Sequence, residues 1–345
     1  MHYLVTGHTG FKGAWLTLML TSQGHTVSGL ALDPVPGSLY ERARLGEMLR
    51  DDLRVDIRDP HATARAVYDV SPDVVVHLAA QALVRESYRD PHTTHETNVL
   101  GTLNVLEAVD RAPGVSAQVI ITTDKVYRND HQIWGYRETD PLGGIDPYSA
   151  SKAAADLLTQ SWIASSGSSV PTGIARAGNV LGGGDVCADR LMVDLVRSFA
   201  DGTPVKLRYP EAVRPWQHVL DCLNGYLTLT EALLSGRSVG EAFNFGPGTD
   251  AFVSVGTMAN EVAALWGPDA HVSFDDTPHP HEAGLLALDA RKAELRLGWH
   301  NRLAFADTLA WSVEWARKVA DGDDPRAVTL AQIDEFSTLP AWNAR

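Results

Sequence analysis

The chain of 345 residues is long enough for about two domains. Its 29 Lys and Arg against 43 Asp and Glu give a formal net charge of −14, which argues against binding along a nucleic-acid backbone. No apolar run approaches the ~20 residues that cross a bilayer, and the first residues lack a secretory-signal pattern. Only two cysteines occur, without zinc-type His/Cys spacing. We therefore expect a cytoplasmic protein with no membrane, nucleic-acid or metal partner.

Short apolar segments alternate with helical patterns through the first half of the chain. They predict strands at residues 3–6, 26–32, 73–78 and 118–122, with helices between them, notably at 98–109. This alternation is typical of an α/β fold with a doubly wound (Rossmann) parallel sheet. After about residue 173 the pattern becomes irregular, which predicts a smaller interleaved α/β domain. We expect residues 1–172 and about 214–246 to form the domain that contains this sheet, and about 173–213 and 247–345 the smaller domain.

A glycine-rich turn follows the first predicted strand and opens the first helix. Its glycines are Gly7, Gly10 and Gly13, in the spacing G-x-x-G-x-x-G. Glycine permits a tight turn there and lets backbone N–H groups approach a pyrophosphate at the helix N-terminus. Glycines near a strand–helix turn can also serve packing alone, but the order of strand, turn and helix favours a dinucleotide site.

Acidic residues after the next strands are candidates for the adenosine half of a dinucleotide. Asp33 ends the second strand, where a carboxylate can accept both ribose hydroxyls and would repel a 2′-phosphate. This favours NAD over NADP, although a turn residue before Pro34 is the alternative interpretation of Asp33. Asp56 and Ile57, which follow a third strand, are candidates to bracket the adenine.

Tyr148 and Lys152 are four residues apart, so a helix would place both on one face. A tyrosine pKa of about 10 makes a poor base at neutral pH. The Lys152 ammonium and an oxidised nicotinamide would both favour the phenolate. Thr123 follows a strand end, where such sheets bind ligands, and can donate to the same substrate oxygen. Tyr-x-x-x-Lys alone is common, but its combination with Thr123 and the glycine turn is specific.

With further segments, these motifs resemble those of the extended short-chain dehydrogenase/reductases. Within that superfamily the chain is similar to nucleotide-sugar 4,6-dehydratases, especially the branch that acts on CDP-glucose. The matching segments are 7–13, 77–81, 123–125, 136–138, 146–149, 175–180, 213–219, 244–247 and 326–333. The resemblance thus covers nearly the whole chain. Its narrowest features are Lys12, where most relatives carry an apolar residue, and Lys125, where better-known dehydratases carry Glu.

The resemblance implies bound NAD and a dehydration in three steps. Tyr148, with Thr123 and Lys152, would deprotonate the C4 hydroxyl during hydride transfer. Water would then leave across C5 and C6, with Asp124 as the acid and Lys125 handling the C5 proton, before hydride returns to C6. Alternatively, Lys125 is an ion-pair partner that merely orients Asp124. The expected cofactor contacts are Gly7, Thr9, Gly10, Phe11, Lys12, Gly13, Asp33, Asp56, Ile57, Leu78, Ala79, Ala80, Tyr148 and Lys152.

A nucleotide sugar brings a diphosphate, which a chain of negative net charge must meet with local polar and positive groups. The expected substrate contacts are Gln81, Asn179, Arg190, Arg208, Arg214 and His281. A metal at His281 is disfavoured because a proline separates it from His279 and no third ligand lies near in sequence. The resemblance also implies a homodimer or a dimer of dimers.

Two other functions remain open at this point. A nucleotide-sugar 4-epimerase would use the same Thr, Tyr and Lys but has no need of Asp124 and Lys125. A non-catalytic dinucleotide-binding protein of the same fold would tolerate the loss of Tyr148 or Thr123, yet both are present.

Overall fold

The computed structural model describes residues 1–187, 190–207, 209–274 and 286–340. In chain order its strands are β1 His2–Thr6, β2 Thr26–Ala31, β3 Asp52–Arg54, β4 Val74–His77, β5 Ala117–Ile121, β6 Thr172–Ala177, β7 Val180–Leu181, β8 Val205–Leu207, β9 Val213–Pro215, β10 Gln217–His218, β11 Ala242–Phe245, β12 Phe252–Ser254 and β13 Val272–Phe274.

The α-helices are α1 Phe11–Ser22, α2 Leu39–Arg42, α3 Pro60–Val70, α4 Val84–Arg89, α5 Pro91–His95, α6 Gly101–Arg111, α7 Pro147–Ser165, α8 Leu191–Ala200, α9 Val219–Leu234, α10 Val255–Trp266, α11 Arg291–Leu297, α12 Phe305–Ala320 and α13 Pro325–Thr338. A π-helical segment, Glu96–Leu100, precedes α6, and 3₁₀ turns lie at Leu45–Glu47, Asp124–Val126 and Thr249–Ala251.

The largest sheet has the strand order β3-β2-β1-β4-β5-β6-β11. All of its neighbouring strands are parallel. The order reverses between β1 and β4, and ligands of such sheets bind in the crevice beyond the carboxyl ends of the strands at this point. The doubly wound fold predicted from sequence is confirmed. Each end of the four predicted strands lies within one residue of the observed end.

Apolar cores cover both faces of this sheet. On one face Val5 of β1 packs with Trp15 of α1 and Tyr226 of α9. On the other, Leu4 of β1 packs with residues of α3 and α6. Successive residues of a strand point to opposite faces, so a sheet buried on both sides needs continuous apolar strands. In Val74–His77 all four residues are buried, and the first three are valines.

A separate apolar core belongs to the later part of the chain. It joins α8, α10 and α12 through residues such as Leu195, Met258 and Leu309. We propose that this core marks the smaller domain. Two observations bear on the domain boundaries, which stay a prediction: β6 continues in the large sheet to Ala177, and Phe336 of α13 packs with the core of that sheet. We therefore propose to end the first segment of the domain that contains the large sheet at Ala177 and to assign α13 to that domain.

Candidate active site

The glycine-rich turn connects β1 to α1 at the carboxyl edge of the sheet. Gly7 has φ +74°, and a Cβ on it would lie 2.8 Å from the backbone nitrogen of Ala79. A Cβ on Gly13 would lie 2.2 Å from the Gly7 carbonyl oxygen. Gly10 caps α1 and has no side chain that could occupy the first N–H groups of the helix. The turn therefore fits a pyrophosphate, which those N–H groups can bind.

Hydrogen bonds hold the neighbouring cofactor candidates against this turn. The Thr9 hydroxyl donates to the Leu32 carbonyl at 3.1 Å, which ties the turn to the end of β2. Ala79 donates its N–H to the Thr6 hydroxyl at 3.1 Å, so residues 78–80 after β4 lie beside Gly7. Phe11 is the first residue of α1 and is partly buried against the core that contains Val5 and Trp15.

The expected adenosine end of the site is more exposed. The Asp33 side chain is 90% exposed and lies 3.3 Å from Nε of Arg54. The Arg58 guanidinium donates to the Asp56 carboxylate at 2.6 Å, and hydrogen bonding to Arg58 lowers the pKa of Asp56. Ile57 is buried, and its carbonyl accepts from Asn104 at 2.8 Å. The cofactor roles of Asp33, Asp56 and Ile57 stay predictions.

The structure brings Tyr148 and Thr123 together. Tyr148 lies in the first turn of α7, where Asp146 caps the helix by accepting from the Ser149 N–H at 2.9 Å. The Thr123 hydroxyl lies close enough to the Tyr148 phenol to act on the Tyr148 pKa. Burial raises the pKa of Tyr148 to about 12, with the Asp124 charge acting in the same direction and the Thr123 hydroxyl opposing it. The chain's own groups therefore raise this pKa rather than lower it, because desolvation of the phenolate outweighs the favourable contacts.

Lys152 lies one turn further along α7 and is also buried. Its Nζ donates to the Ile121 carbonyl at 3.0 Å, at the end of β5. Burial lowers the pKa of Lys152 to about 8; the nearby Lys12 acts in the same direction, and Asp156 opposes both. An amine near this pKa exchanges its proton close to physiological pH, as acid–base catalysis requires.

Asp124 and Lys125 follow Thr123 in a 3₁₀ turn beyond β5. Asp124 is buried and accepts from the Thr123 hydroxyl at 2.8 Å. The Lys125 ammonium is 3.6 Å from the Asp124 carboxylate, and its side chain is 30% exposed. A Cβ on Gly178 would lie 3.2 Å from Asp124, so the loop after β6 passes over this carboxylate. The pair thus sits at the edge of the Thr123–Tyr148 site, with Lys125 facing outward.

The predicted substrate residues have different surroundings. Arg190 donates to Asp185 at 2.9 Å, and its positive charge acts to lower the pKa of Tyr148. Asn179 follows Gly178 in the loop over Asp124, and its carbonyl accepts from the Gln217 N–H at 3.4 Å. Arg214 lies in β9, which pairs with β12, and donates to the Val213 carbonyl at 2.8 Å. Arg208 and His281 lie outside the described residues.

The side-chain amide of Gln81 closes a loop. Its Nε2 donates to the Thr94 hydroxyl at 2.9 Å and to the Leu83 carbonyl at 3.1 Å. Its Oε1 accepts from the Leu83 N–H at 2.6 Å. The side chain therefore holds residues 81–83 in place, and a direct contact with substrate stays a prediction.

Sequence reasoning missed Asn98 as a site residue. Its buried amide accepts from the Gln81 N–H at 2.9 Å and donates to the Gln81 carbonyl at 3.0 Å and to the Ser151 hydroxyl at 2.9 Å. Ser151 lies between Tyr148 and Lys152, so Asn98 joins the catalytic helix to the loop after β4. Asn98 belongs to the π-helical segment, and such distortions are frequent at functional sites. The available signal was an Asn at the start of the helix predicted at 98–109.

A buried ion pair anchors the catalytic helix. Arg176 of β6 donates to Asp156 of α7 through Nη2 at 2.7 Å and Nε at 2.8 Å. Thr122 donates to the same carboxylate at 3.0 Å. A bidentate pair satisfies both buried charges and fixes their relative orientation. Lys152 lies one turn before Asp156, so this contact sets the position of α7 against β5 and β6.

Within the part of the chain that the structure describes, none of the helices is long and apolar enough to cross a bilayer. The same residues hold no group of three or more His, Cys, Asp or Glu side chains arranged for a metal ion.

Comparisons with known proteins agree with this geometry. The model of the NAD dependent epimerase/dehydratase family matches residues 3–246. The CDP-glucose 4,6-dehydratase of Salmonella typhimurium is 42% identical over 341 residues, which cover 96% of this chain and 95% of that protein.

Solved structures are similar over comparable lengths. The dTDP-glucose 4,6-dehydratase DesIV from Streptomyces venezuelae, solved with NAD bound, has a TM-score of 0.79 and 28% identity, covering 94% of this chain and 100% of that one. The UDP-glucose 4-epimerase of Thermotoga maritima has a TM-score of 0.80 and 25% identity, covering 92% of this chain and 99% of that one.

Proposed function

Because this chain belongs to the NAD dependent epimerase/dehydratase family, we propose that it dehydrates CDP-D-glucose to the 4-keto-6-deoxy sugar. The observation that carries the proposal is the Asp124–Lys125 pair beside Thr123 and Tyr148. Oxidation at C4 requires only a base, an orienting donor and a hydride acceptor. Elimination across C5 and C6 additionally requires an acid for the leaving hydroxyl and a group for the C5 proton.

NAD is the cofactor of this family, and the glycine turn fits it. The first N–H groups of α1 would hold the pyrophosphate, Asp33 the adenosine ribose, and Tyr148 with Lys152 the nicotinamide half. When bound, NAD⁺ supplies the hydride acceptor and adds positive charge beside Tyr148. That charge and the Lys152 ammonium favour the phenolate, against the burial that raises the Tyr148 pKa.

Each member of the catalytic group has a distinct task in this proposal. Tyr148 removes the C4 hydroxyl proton, and Thr123 orients the same oxygen through a hydrogen bond. In the neutral form of the pair, in which the Lys125 ammonium has passed a proton to the Asp124 carboxylate, Lys125 accepts the C5 proton and Asp124 protonates the departing C6 hydroxyl, which restores the ion pair. The 3.6 Å ion pair also fits the alternative in which Lys125 only orients Asp124. Replacing Lys125 by Met, with loss of C5 proton exchange from solvent as the readout, separates these two roles.

Positive groups near the site support a diphosphate substrate. Arg190 lies close enough for its charge to act on Tyr148, and Arg214 lies on β9. A charged hydrogen bond to phosphate is stronger than a neutral one and is favoured in a partly buried cleft. Asn179 adds a polar group from the loop over Asp124. The roles of Arg208 and His281 rest on the family resemblance alone.

The second candidate is a nucleotide-sugar 4-epimerase, which the similarity to the Thermotoga maritima enzyme favours. Both reactions begin with oxidation at C4, so Thr123, Tyr148 and Lys152 fit either. The buried Asp124 with Lys125 beside it is needed only for dehydration, because epimerisation involves no elimination of water.

Mass spectrometry after incubation with NAD⁺ and CDP-glucose tests the proposal directly. We expect the sugar nucleotide to lose the mass of one water. An unchanged mass with a new sugar isomer would identify an epimerase, and no change would favour a non-catalytic protein. Parallel reactions with dTDP-glucose and UDP-glucose test the preference for the nucleobase. We expect turnover of both to be slower than that of CDP-glucose.

We also propose that the protein works as a homodimer in the cytoplasm. Leu100 and Leu157 are each 52% exposed, and a surface groove between their helices is lined by Val99 and Ala154. Exposed apolar side chains on adjacent helices are typical of a helical subunit interface. Both cysteines of the chain are free, as expected in a reducing compartment. Light scattering on the purified protein, with Leu157→Glu as the interface variant, tests the dimer.

A further inference from the structure

Two buried side chains flank the segment 123–126, which carries three of the catalytic candidates. Immediately before it, the Thr122 hydroxyl donates to the Asp156 carboxylate at 3.0 Å. Immediately after it, the Tyr127 hydroxyl accepts from Nη1 of Arg176 at 2.8 Å. Asp156 and Arg176 are themselves joined by two hydrogen bonds, at 2.7 and 2.8 Å. Each end of the segment is therefore tied to one member of the same ion pair.

The Tyr127 hydroxyl has a partner for each of its hydrogen-bonding roles. Besides accepting from Arg176, it donates to Oδ1 of Asn244 in β11 at 2.7 Å. The Tyr127 ring also stacks on that of Tyr136, with 5.3 Å between their centres and 16° between their planes. Tyr127 and Asn244 are both buried, and a buried polar group that loses its partner is costly. These contacts therefore fix the Tyr127 side chain in one orientation.

Asp156 belongs to the catalytic helix α7. It follows Tyr148 by about two turns of that helix and Lys152 by one. Because Thr122 also donates to the Asp156 carboxylate, the helix and the segment 123–126 are held against a common point. Side chains that act on one substrate from two elements need such a common point, since a misplacement of about 1 Å can slow a reaction about 10²-fold.

We propose that Thr122 and Tyr127 are positioning residues of the catalytic site. With the Arg176–Asp156 pair they set the distance between α7 and the segment 123–126. Both side chains are buried, so they act through the residues between them and not by contact with substrate. The catalytic part of this inference rests on the proposed function. A positioning role predicts a lower kcat with little change in KM, because the groups that bind substrate and cofactor are retained.

Removing a single hydroxyl tests this role with little disturbance of the core. Thr122→Val keeps the size and branching of the side chain. Tyr127→Phe keeps the ring, and Nη1 of Arg176 retains the Glu138 carbonyl at 3.2 Å. We expect kcat with CDP-glucose to fall about tenfold in each variant, with KM within about twofold of the wild type. Thr122→Ser keeps the hydroxyl and should retain most of the activity.

Thr159→Val is the matched control for the loss of a buried hydroxyl. Thr159 also lies in α7 and is also buried, but its hydroxyl donates to the Ala155 carbonyl of the same helix at 2.8 Å. This variant should lose stability in urea unfolding without a change in kcat. If Tyr127→Phe folds poorly, the comparison of Thr122→Val, Thr122→Ser and Thr159→Val still tests the proposal.

Amide hydrogen exchange of the whole protein tests the same contacts without any substrate. The N–H groups of Val126 and Tyr127 donate to the carbonyls of Thr123 and Asp124, at 3.3 and 3.4 Å. In Thr122→Val and in Tyr127→Phe we expect the N–H groups of residues 126 and 127 to exchange about tenfold faster. The reason is that loss of either contact favours local opening of the segment.

The two readouts separate the proposal from its alternatives. Unchanged exchange in both Thr122→Val and Tyr127→Phe would overturn it, as would an unchanged kcat in an active enzyme or equal effects of Thr159→Val. Because exchange needs no substrate, faster exchange in a protein that epimerises CDP-glucose would reject only the proposed function. The comparison of kcat then applies to epimerisation, which begins with the same oxidation at C4.

Discussion

The cofactor side and the substrate side of the candidate site are constructed differently. On the cofactor side, close backbone packing at Gly7 and Gly13 shapes the turn, and the candidate binding groups are main-chain N–H groups. On the substrate side, the candidates are charged side chains on a loop and a short strand, such as Arg190 and Arg214. Backbone recognition is inseparable from the fold, whereas a charged side chain can be exchanged without altering it. The first side therefore identifies the family, and the second determines the substrate.

Glycine substitutions test this difference most severely. Gly7 and Gly24 both have positive φ, at +74° and +79°, but only Gly7 is crowded by neighbouring atoms. We expect Gly24→Ala to cost about 1 kcal/mol, the strain of a left-handed alanine. Gly7→Ala adds a clash with Ala79 and should cost more than about 4 kcal/mol and abolish NAD⁺ binding. Urea unfolding and calorimetric NAD⁺ titration measure both, and equal losses of stability would contradict this account.

Arg214→Ala should affect the substrate side alone. An unpaired charged hydrogen bond to the diphosphate costs about 2 kcal/mol, so we expect the KM for CDP-glucose to rise about thirtyfold. The affinity for NAD⁺ should change little, because the glycine turn is untouched. Arg197→Ala, at an exposed arginine of α8, is the matched control for loss of positive charge. An unchanged KM would show that Arg214 serves the β9–β12 pairing instead.

Asp33→Ala should have the smallest effect, since this side chain is mostly exposed. Loss of its ribose contacts should weaken NAD⁺ binding roughly tenfold. Removing its charge beside Arg54 also removes a group that repels a 2′-phosphate, so discrimination against NADP⁺ should relax. Asp33→Asn keeps hydrogen bonding and should lose less NAD⁺ affinity than Asp33→Ala. Binding titrations with both cofactors measure the ratio, and an unaltered preference would show that Asp33 is only a turn residue.

The features that the sequence predicted are those determined by local backbone structure. Strand–helix alternation and the glycine turn predicted the sheet and its ligand-binding edge, because local periodicity and local turn chemistry determine both. The strand-end position of Thr123 and the spacing of Tyr148 and Lys152 predicted residues that the structure places in one group. Gln81 was also predicted to contact substrate; its amide groups close a loop, and that contact stays a prediction.

The features that the sequence did not predict depend on the burial of side chains and on contacts between segments far apart in the chain. The raised pKa of Tyr148 results from burial, which a spacing of residues does not reveal. Asn98 joins segments 17 and 53 residues away in the chain, so no local pattern indicates its role. The contact between Lys12 and Tyr226 spans 214 residues. These interactions arise from packing of distant elements, and their energies depend on the whole fold.

The central claim is that Asp124 serves elimination, whereas Tyr148 serves the preceding oxidation. Rapid mixing of Asp124→Asn with NAD⁺ and CDP-glucose tests it by following reduced-nicotinamide absorbance and 4-keto-6-deoxy product together. Reduction should still occur, while product forms about 10²–10⁴-fold more slowly, the usual effect of removing a general acid. Tyr148→Phe should instead suppress the reduction itself. If Asp124→Asn abolished reduction with both ligands still bound, or dehydrated at the normal rate, the claim would be contradicted.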